Sequence, residues 1–171
     1  MPDAALVWRA PVRSDAESLG RMHHRSWVDT YTDLLPPDWF AENGPEHWVA
    51  SWRERLSEPL PPGVRRVAVF AAGDVPVGWS VVGPGRETEG VPPVRERALW
   101  GLYVAREHLG TGLGQALLEW AVGDAPAELW TARGNHRAIA FYRRNGFVED
   151  GVEVPHGHTP LVEVRMVRPG P

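Results

Sequence analysis

The sequence predicts an α/β layered fold around a mixed sheet. Three observations carry this reading. Strand-like and helix-like segments follow the order β-α-α-β-β-β-α-β-α-β-β, which is neither a run of βαβ repeats nor an all-β pattern. A Gly73-Asp74 turn signal joins two β-branched runs as a hairpin. A strand ending at Leu102-Tyr103-Val104 then breaks into Gly110-Thr111-Gly112-Leu113-Gly114 and opens a helix.

The elements follow in order. Residues 5–10 read as a short first strand. Ser14-Asp15-Ala16-Glu17 has the outline of a capping box, so a helix is expected to start there and to end before Leu34-Leu35-Pro36-Pro37. Leu19, Met22, Ser26 and Trp27 fall at helical spacing within it. Residues 37–60 read as a second helix carrying Trp39, Trp48, Trp52 and Leu56. Residues 65–70 and 75–82 form the predicted hairpin, a Gly- and Pro-rich loop follows, and residues 97–104 are the next strand. Leu113, Ala116, Leu117, Trp120 and Ala121 repeat at i, i+3, i+4, i+7 and i+8, the stripe of an amphipathic helix. Residues 128–132 read as a strand and 135–145 as a helix, with Gly146 where a helix-terminating glycine belongs. Residues 147–154 and 161–167 close the chain as a hairpin.

At 171 residues the expectation is one domain over residues 1–171, with enough chain for a proper core. No apolar run approaches the ~20 residues of a membrane span, and no cationic segment precedes an apolar stretch at the N-terminus. The expected location is therefore the cytoplasm, without a membrane partner. A net charge of −4 argues against a nucleic-acid partner, whose footprint is a basic face. With no cysteine, thiolate chemistry and disulfides are excluded. All 18 Lys and Arg positions are Arg, so no lysine serves a Schiff base or a P-loop.

The alternating glycines leave a row of bare N–H groups at a helix N-terminus, where the macrodipole favours negative charge. Such a turn suits a phosphate or pyrophosphate; the alternative is a tight turn that binds nothing. A Walker A loop needs Lys-Ser/Thr after its last glycine, and Gln115 stands there. A dinucleotide fingerprint needs G-x-G-x-x-G in a first βαβ unit, and both the spacing and the position differ. No Gly-x-Ser-x-Gly elbow is present, since Gly78-Trp79-Ser80-Val81-Val82 reads as a strand.

A second motif follows the next strand: Asn135-His136-Arg137-Ala138-Ile139-Ala140-Phe141-Tyr142-Arg143-Arg144-Asn145-Gly146-Phe147. The two segments, spanning residues 102–147, together resemble the GNAT superfamily of acyl-CoA-dependent N-acyltransferases. His24-Arg25-Ser26-Trp27 through Tyr31 to Leu34-Leu35-Pro36 is similar to the acceptor-side helices of many bacterial members. The resemblance implies a mixed, mostly antiparallel sheet of about seven strands with helices on both faces, and acetyl-CoA as co-substrate with no metal. It implies that Leu109, Gly110, Thr111, Gly112, Leu113, Gly114 and Gln115 hold the pyrophosphate through backbone N–H groups. Leu102, Tyr103 and Val104 would pair with the pantetheine arm as an added strand does. A strand N–H there would stabilise an oxyanion, and Gly101 would permit a bulge that splays this strand from the next. Asn135 would contact pantetheine or serve as a helix N-cap, roles that are compatible. Tyr142 resembles the family's general acid; the alternative is a half-buried core tyrosine beside Phe141. Leu109 and Thr111 depart from the cations usual at their positions, with Arg106 as a nearby replacement.

An alkyl ammonium, with a pKa near ~10, must lose a proton before attack. Many family members carry a Glu on the strand entering the turn; Ala98 stands there instead. Glu96, two residues earlier and by strand alternation on the same face, is the expected catalytic carboxylate, acting through a water; the alternative is a surface carboxylate flanked by Arg95 and Arg97. His156, His158, His23 and His24 are further base candidates. Trp27, Asp29, Tyr31 and His156 are the expected substrate-binding residues, with Asp33 at their border: an acidic and aromatic lining that suits a cationic amine. The expected reaction is direct acetyl transfer in a ternary complex to a small-molecule amine. The alternatives are a protein N-terminus as acceptor and a non-catalytic acyl-CoA sensor. A homodimer is the oligomer to look for, C2 dimers being commonest.

Overall fold

The computed structural model describes residues 5–157 and 159–170; the candidate base His158 lies outside them. Among these residues seven strands form one sheet: β1 (Val7–Arg9), β2 (Arg65–Ala71), β3 (Val75–Pro84), β4 (Arg97–Val104), β5 (Ala127–Ala132), β6 (Val148–Pro155) and β7 (Val162–Arg168). Their spatial order is β1-β2-β3-β4-β5-β7-β6. The β4–β5 pair is parallel and the other pairs are antiparallel. Five helices accompany them: α1 (Ala16–Tyr31), α2 (Pro37–Glu42), α3 (Pro45–Arg55), α4 (Leu113–Val122) and α5 (His136–Arg144). No helix among the described residues is long and apolar enough to cross a membrane.

Strand alternation divides the core between the two faces. Ala68, Phe70, Trp79 and Val81 pack with Ala16, Leu19 and Met22 of α1 and Trp52 of α3. On the other face, Val67, Val69 and Val77 pack with Leu113 and Leu117 of α4. Leu99, Leu129 and Met166 meet the C-terminal half of α4 and the buried Ile139 and Tyr142 of α5. Each sheet face is therefore covered by helices.

Two local expectations are corrected. The segment 37–60 is not one helix: it breaks at Asn43 and Gly44, and α3 ends at Arg55. Pro45 causes the break, because its ring disfavours helical backbone at the preceding residue and it has no N–H to donate. Nor does Ser14 cap α1. Arg13–Asp15 form a 3-10 turn, and the Asp15 carboxylate accepts the Val12 N–H at 2.7 Å. The same carboxylate takes both arms of the Arg9 guanidinium at 2.6 and 2.9 Å, which ties β1 to the start of α1.

Candidate active site

The site is a gap in the sheet. β4 and β5 pair only at Ala98–Glu128 and Leu99–Leu129, although β4 runs on to Val104 and β5 to Ala132. The cause is a bulge: Val81 faces Gly101 while Val82 faces Leu99, so Trp100 is the extra residue on β4. A bulge bends the strand that carries it, here away from β5. Glycine is required at position 101, because a Cβ would lie 2.7 Å from the Trp79 ring. Trp79 is itself buried and stacked on Tyr103.

Past the bulge, the Ala105 N–H donates to the Val77 carbonyl at 2.8 Å. This fixes the phase of the strand. The backbone groups of Tyr103 turn toward β3, and those of Leu102 and Val104 turn into the gap. The gap widens into a cavity of about 480 Å³, walled by residues 99–104 on one side and 129–132 on the other.

One end of the cavity meets the glycine turn. Gly110 and Gly112 have φ of 76° and 91°, and an added Cβ would meet nothing within 4 Å. Backbone conformation, not crowding, is what calls for glycine there. Among the described residues, the N–H groups of Gly110, Gly112, Leu113, Gly114 and Gln115 have no backbone acceptor; the first bond into α4 runs from Ala116 to the Gly112 carbonyl. The Gln115 side chain bonds Asn145 at 2.9 Å, which brings the C-terminal end of α5, with Arg144, beside this turn. Arg144 and His108 line the same cavity.

The other end is aromatic and carries one carboxylate. Trp27 and Tyr31, one helical turn apart on α1, both line it. The Trp27 indole N–H donates to the Tyr103 hydroxyl at 3.1 Å. His156 at the end of β6 sits 5.7 Å from Trp27, ring to ring. Its Nδ1 lies 3.1 Å from Glu163 Oε1 on β7. Among the described residues, Glu163 is the only Asp or Glu lining the cavity. Its hydrogen bond pushes the His156 pKa up, against burial that pulls it down.

Tyr142 stands on α5 in the cavity wall and is 7% exposed. Burial, and then the neighbouring Tyr31, push its phenol well above the usual range. The group remains a proton donor throughout the physiological range. Asn135 caps α5 by accepting the Ala138 N–H at 3.1 Å and also lines the cavity, so it fills both expected positions.

Several expected residues lie elsewhere. Glu96 is exposed and precedes the first residue of β4, so strand alternation does not carry it to the face of Ala98; its carbonyl accepts the Gly85 N–H. Asp29 lies two residues from Trp27 and from Tyr31, hence on the opposite side of α1. It is exposed and pairs with Arg106 at 3.2 Å, and neither lines the cavity. Asp33 is exposed outside it. Of the expected N–H donors of the turn, those of Leu109 and Thr111 are already given to the Arg106 and His108 carbonyls at 3.2 and 3.5 Å, whereas the Leu113 N–H is in the free row although its side chain is in the core. His24 lies outside the lining. His23 is buried behind Tyr103, with Nδ1 accepting from the Trp52 indole at 3.3 Å, and burial holds its pKa well below the usual value. Sequence reasoning missed Glu163, Arg137 and Arg144. The two arginines lay inside the recognised motif at its variable positions. Among the described residues no group of three or more His, Asp or Glu is placed to hold a metal.

Comparison with solved structures finds this architecture repeatedly. The PaiA N-acetyltransferase of Thermoplasma acidophilum, solved with coenzyme A, superposes with a TM-score of 0.64 at 16% identity, over 96% of this chain and 98% of that one. The ribosomal-protein-S18-alanine N-acetyltransferase of Escherichia coli gives 0.60 at 15% identity, over 96% and 94%. A nourseothricin acetyltransferase gives 0.52 at 25% identity, over 67% and 71%. A comparison with curated protein sequences finds no match. The model of the acetyltransferase (GNAT) family matches residues 18–147, which contain the bulged strand, the glycine turn, Asn135 and Tyr142. The chain belongs to the GNAT acetyltransferase family.

Proposed function

We propose that the protein is an acetyl-CoA-dependent N-acetyltransferase acting on a small-molecule primary amine by direct transfer. The observation that carries this is the continuity of the cavity: a free N–H row at the glycine turn, an unpaired strand edge at Leu102 and Val104, and the buried phenol of Tyr142 all border one space. The unpaired donors fit the donor molecule. The row from Gly110 to Gln115 would hold its pyrophosphate, with Arg144 adding charge. The β4 edge and Asn135 would hold the pantetheine arm. When bound, this co-substrate supplies an activated acetyl thioester.

The chain's own groups then do three things. A backbone N–H of the β4 edge, at Leu102 or Val104, stabilises negative charge developing on the carbonyl oxygen. The walls of the cleft hold amine and thioester together. Tyr142 gives its phenolic proton to the departing sulfur.

The acceptor class is supported by the packing beside the aromatic end. Leu34, between α1 and α2, packs so tightly on Gly134 that a Cβ there would lie 2.7 Å from it. Leu35 and Leu161 join Trp27, Tyr31 and Trp48 in one cluster, with Trp39 against it. An end flanked by such a tightly packed cluster suits a compact amine better than an extended polypeptide. The test is thiol release from acetyl-CoA with a panel of small amines and short peptides with free N-termini. With no cysteine in the chain, the protein contributes no thiol background. Turnover confined to the peptides would replace the acceptor class. Coenzyme A binding without turnover of any amine would leave a sensor module. Absence of coenzyme A binding by calorimetry would overturn the reading.

A further inference from the structure

We propose that His156, oriented by Glu163, is the proton acceptor for the incoming ammonium group. The inference rests on the reading of the site as an N-acetyltransferase and supplies the group that the reading leaves open. At the position where a carboxylate would enter from β4, Ala98 is buried in the core and offers no acceptor. Glu96 is outside the cavity. His23 is sealed behind Tyr103. The aromatic end nevertheless contains a His–carboxylate pair, built by the closing hairpin.

The pair is held by the sheet. β6 and β7 are antiparallel, with Val154 opposite Glu163 and Pro155 opposite Val162. The His156 N–H then donates to the Leu161 carbonyl at 2.9 Å, which fixes the residue's backbone at the hairpin end. On its other edge, Glu163 is held opposite Ala132 of β5, at the wall of the gap. Nδ1 lies 3.1 Å from Glu163 Oε1, so the carboxylate favours a proton on Nδ1 and leaves the lone pair on Nε2. Among the described residues Nε2 has no partner. His156 lines the cavity and is in ring proximity to Trp27, so Nε2 is the nitrogen left for a ligand.

The charged and titratable groups around the pair come from four elements. Glu163 is on β7, Arg86 and Glu89 are in the β3–β4 connection, Tyr31 is on α1 and Arg137 on α5; Arg86 is a cation that interacts with Glu163 itself. Glu163 and Glu89 both favour the protonated ring. The raised imidazole narrows the gap to an alkyl ammonium near ~10 without closing it, so the proton passes to Nε2 as the amine attacks the thioester, and the carboxylate helps hold the resulting imidazolium.

The step balances as follows. One ammonium N–H bond breaks, an Nε2–H bond forms, and His156 later releases that proton to water. The freed nitrogen pair forms a C–N bond to the acetyl carbon. The C–S bond breaks, and the sulfur takes its electron pair together with the Tyr142 proton. The surplus proton left on nitrogen restores the phenol. The net products are the amide, the free thiol and one proton in water.

The test has two arms. The first is the pH profile of kcat/KM for the best amine of a panel of tyramine, spermidine and lysine amide, in wild type, His156→Gln and Glu163→Gln. The expected wild-type profile rises through a histidine inflection above ~6.5. His156→Gln should lose that inflection and fall by roughly 10²–10³-fold at neutral pH. Glu163→Gln should move the inflection to lower pH, because it removes the group that raises it. Coenzyme A affinity should stay unchanged in both variants, which separates this proposal from the donor-site reading. A His156→Gln enzyme within threefold of wild type, with the inflection kept, overturns the proposal. The second arm needs no turnover. In nitrogen-15 histidine spectra, His156 should be the Nδ1–H tautomer at high pH, titrate at lower pH in Glu163→Gln, and shift on adding tyramine. An Nε2–H tautomer, or a titration that Glu163→Gln leaves in place, overturns it equally.

Discussion

Trp27 and Tyr103 join α1 to the splayed strand: the indole N–H of Trp27 donates to the Tyr103 hydroxyl at 3.1 Å at the aromatic end of the cleft. Tyr103 also stacks on Trp79 at 4.9 Å, and Trp79 is the ring that excludes a side chain from position 101. The aromatic wall of the cleft and the bulge that opens the gap are therefore joined through one set of packed rings. Tyr103→Phe keeps the stack but leaves the buried Trp27 N–H without its acceptor. The expected cost is about 1–3 kcal/mol of stability, read from urea unfolding with an unchanged m-value. KM for the amine should rise while coenzyme A affinity holds.

Gly101→Ala tests the bulge directly. The new methyl meets the Trp79 ring at 2.7 Å, and Trp79 is boxed in by Trp52, His23 and Tyr103. Overpacking of this kind costs about 1–3 kcal/mol. Relief requires β4 to shift, so coenzyme A affinity should fall along with stability. Gly110→Ala makes the contrast. It has open space, and its cost is the roughly 1–2 kcal/mol of a left-handed backbone, with the core untouched. Thermal unfolding and calorimetric titration of both variants separate crowding from conformation.

The local geometry of the glycine turn and of α5 was legible because short-range interactions set it. The glycine turn, the Asn135 cap and the Tyr142 position each depend on neighbours within a few residues, and the structure places them on one cavity. Glu163 was not readable, because in sequence it is one polar residue in a closing strand. It gains meaning only from its register opposite Ala132 and the return of His156 on the adjacent strand. Asp29 and Glu96 fail for a related reason. Both were placed by adjacency to meaningful residues, Asp29 against the helical period and Glu96 beyond the end of its strand. The break before α3 was legible in principle, since Pro45 forbids a continuous helix.

Tyr142→Phe removes the proton donor and keeps the ring among Ile139, Phe147 and Leu129. The fold and coenzyme A affinity should survive. The acetyl-transfer kcat should fall by about 10²–10⁴-fold. The pH dependence has a definite sign. Burial raises the phenol above its ordinary value, so the wild-type rate should show no alkaline fall from Tyr142 ionisation below about pH 10. A fall near neutral pH in wild type that disappears in Tyr142→Phe would contradict the assigned role.

Asp15 is expected to contribute to acid stability. Its carboxylate is 7% exposed, accepts the Val12 N–H and holds the Arg9 fork, and these bonds lower its pKa below the ordinary 3.8. A depressed folded-state pKa stabilises the protein above the unfolded value, and that stability is lost as pH falls through the folded value. The window is therefore below about pH 4, on the acid side of most enzymatic assays. Asp15→Asn removes the titration and unpairs Arg9, at a cost of about 2 kcal/mol near neutral pH. Between pH 5 and pH 2 its denaturant midpoint should fall less steeply than that of wild type. Parallel slopes for the two proteins would show that the acid sensitivity comes from other carboxylates and that the Arg9 fork contributes only geometry.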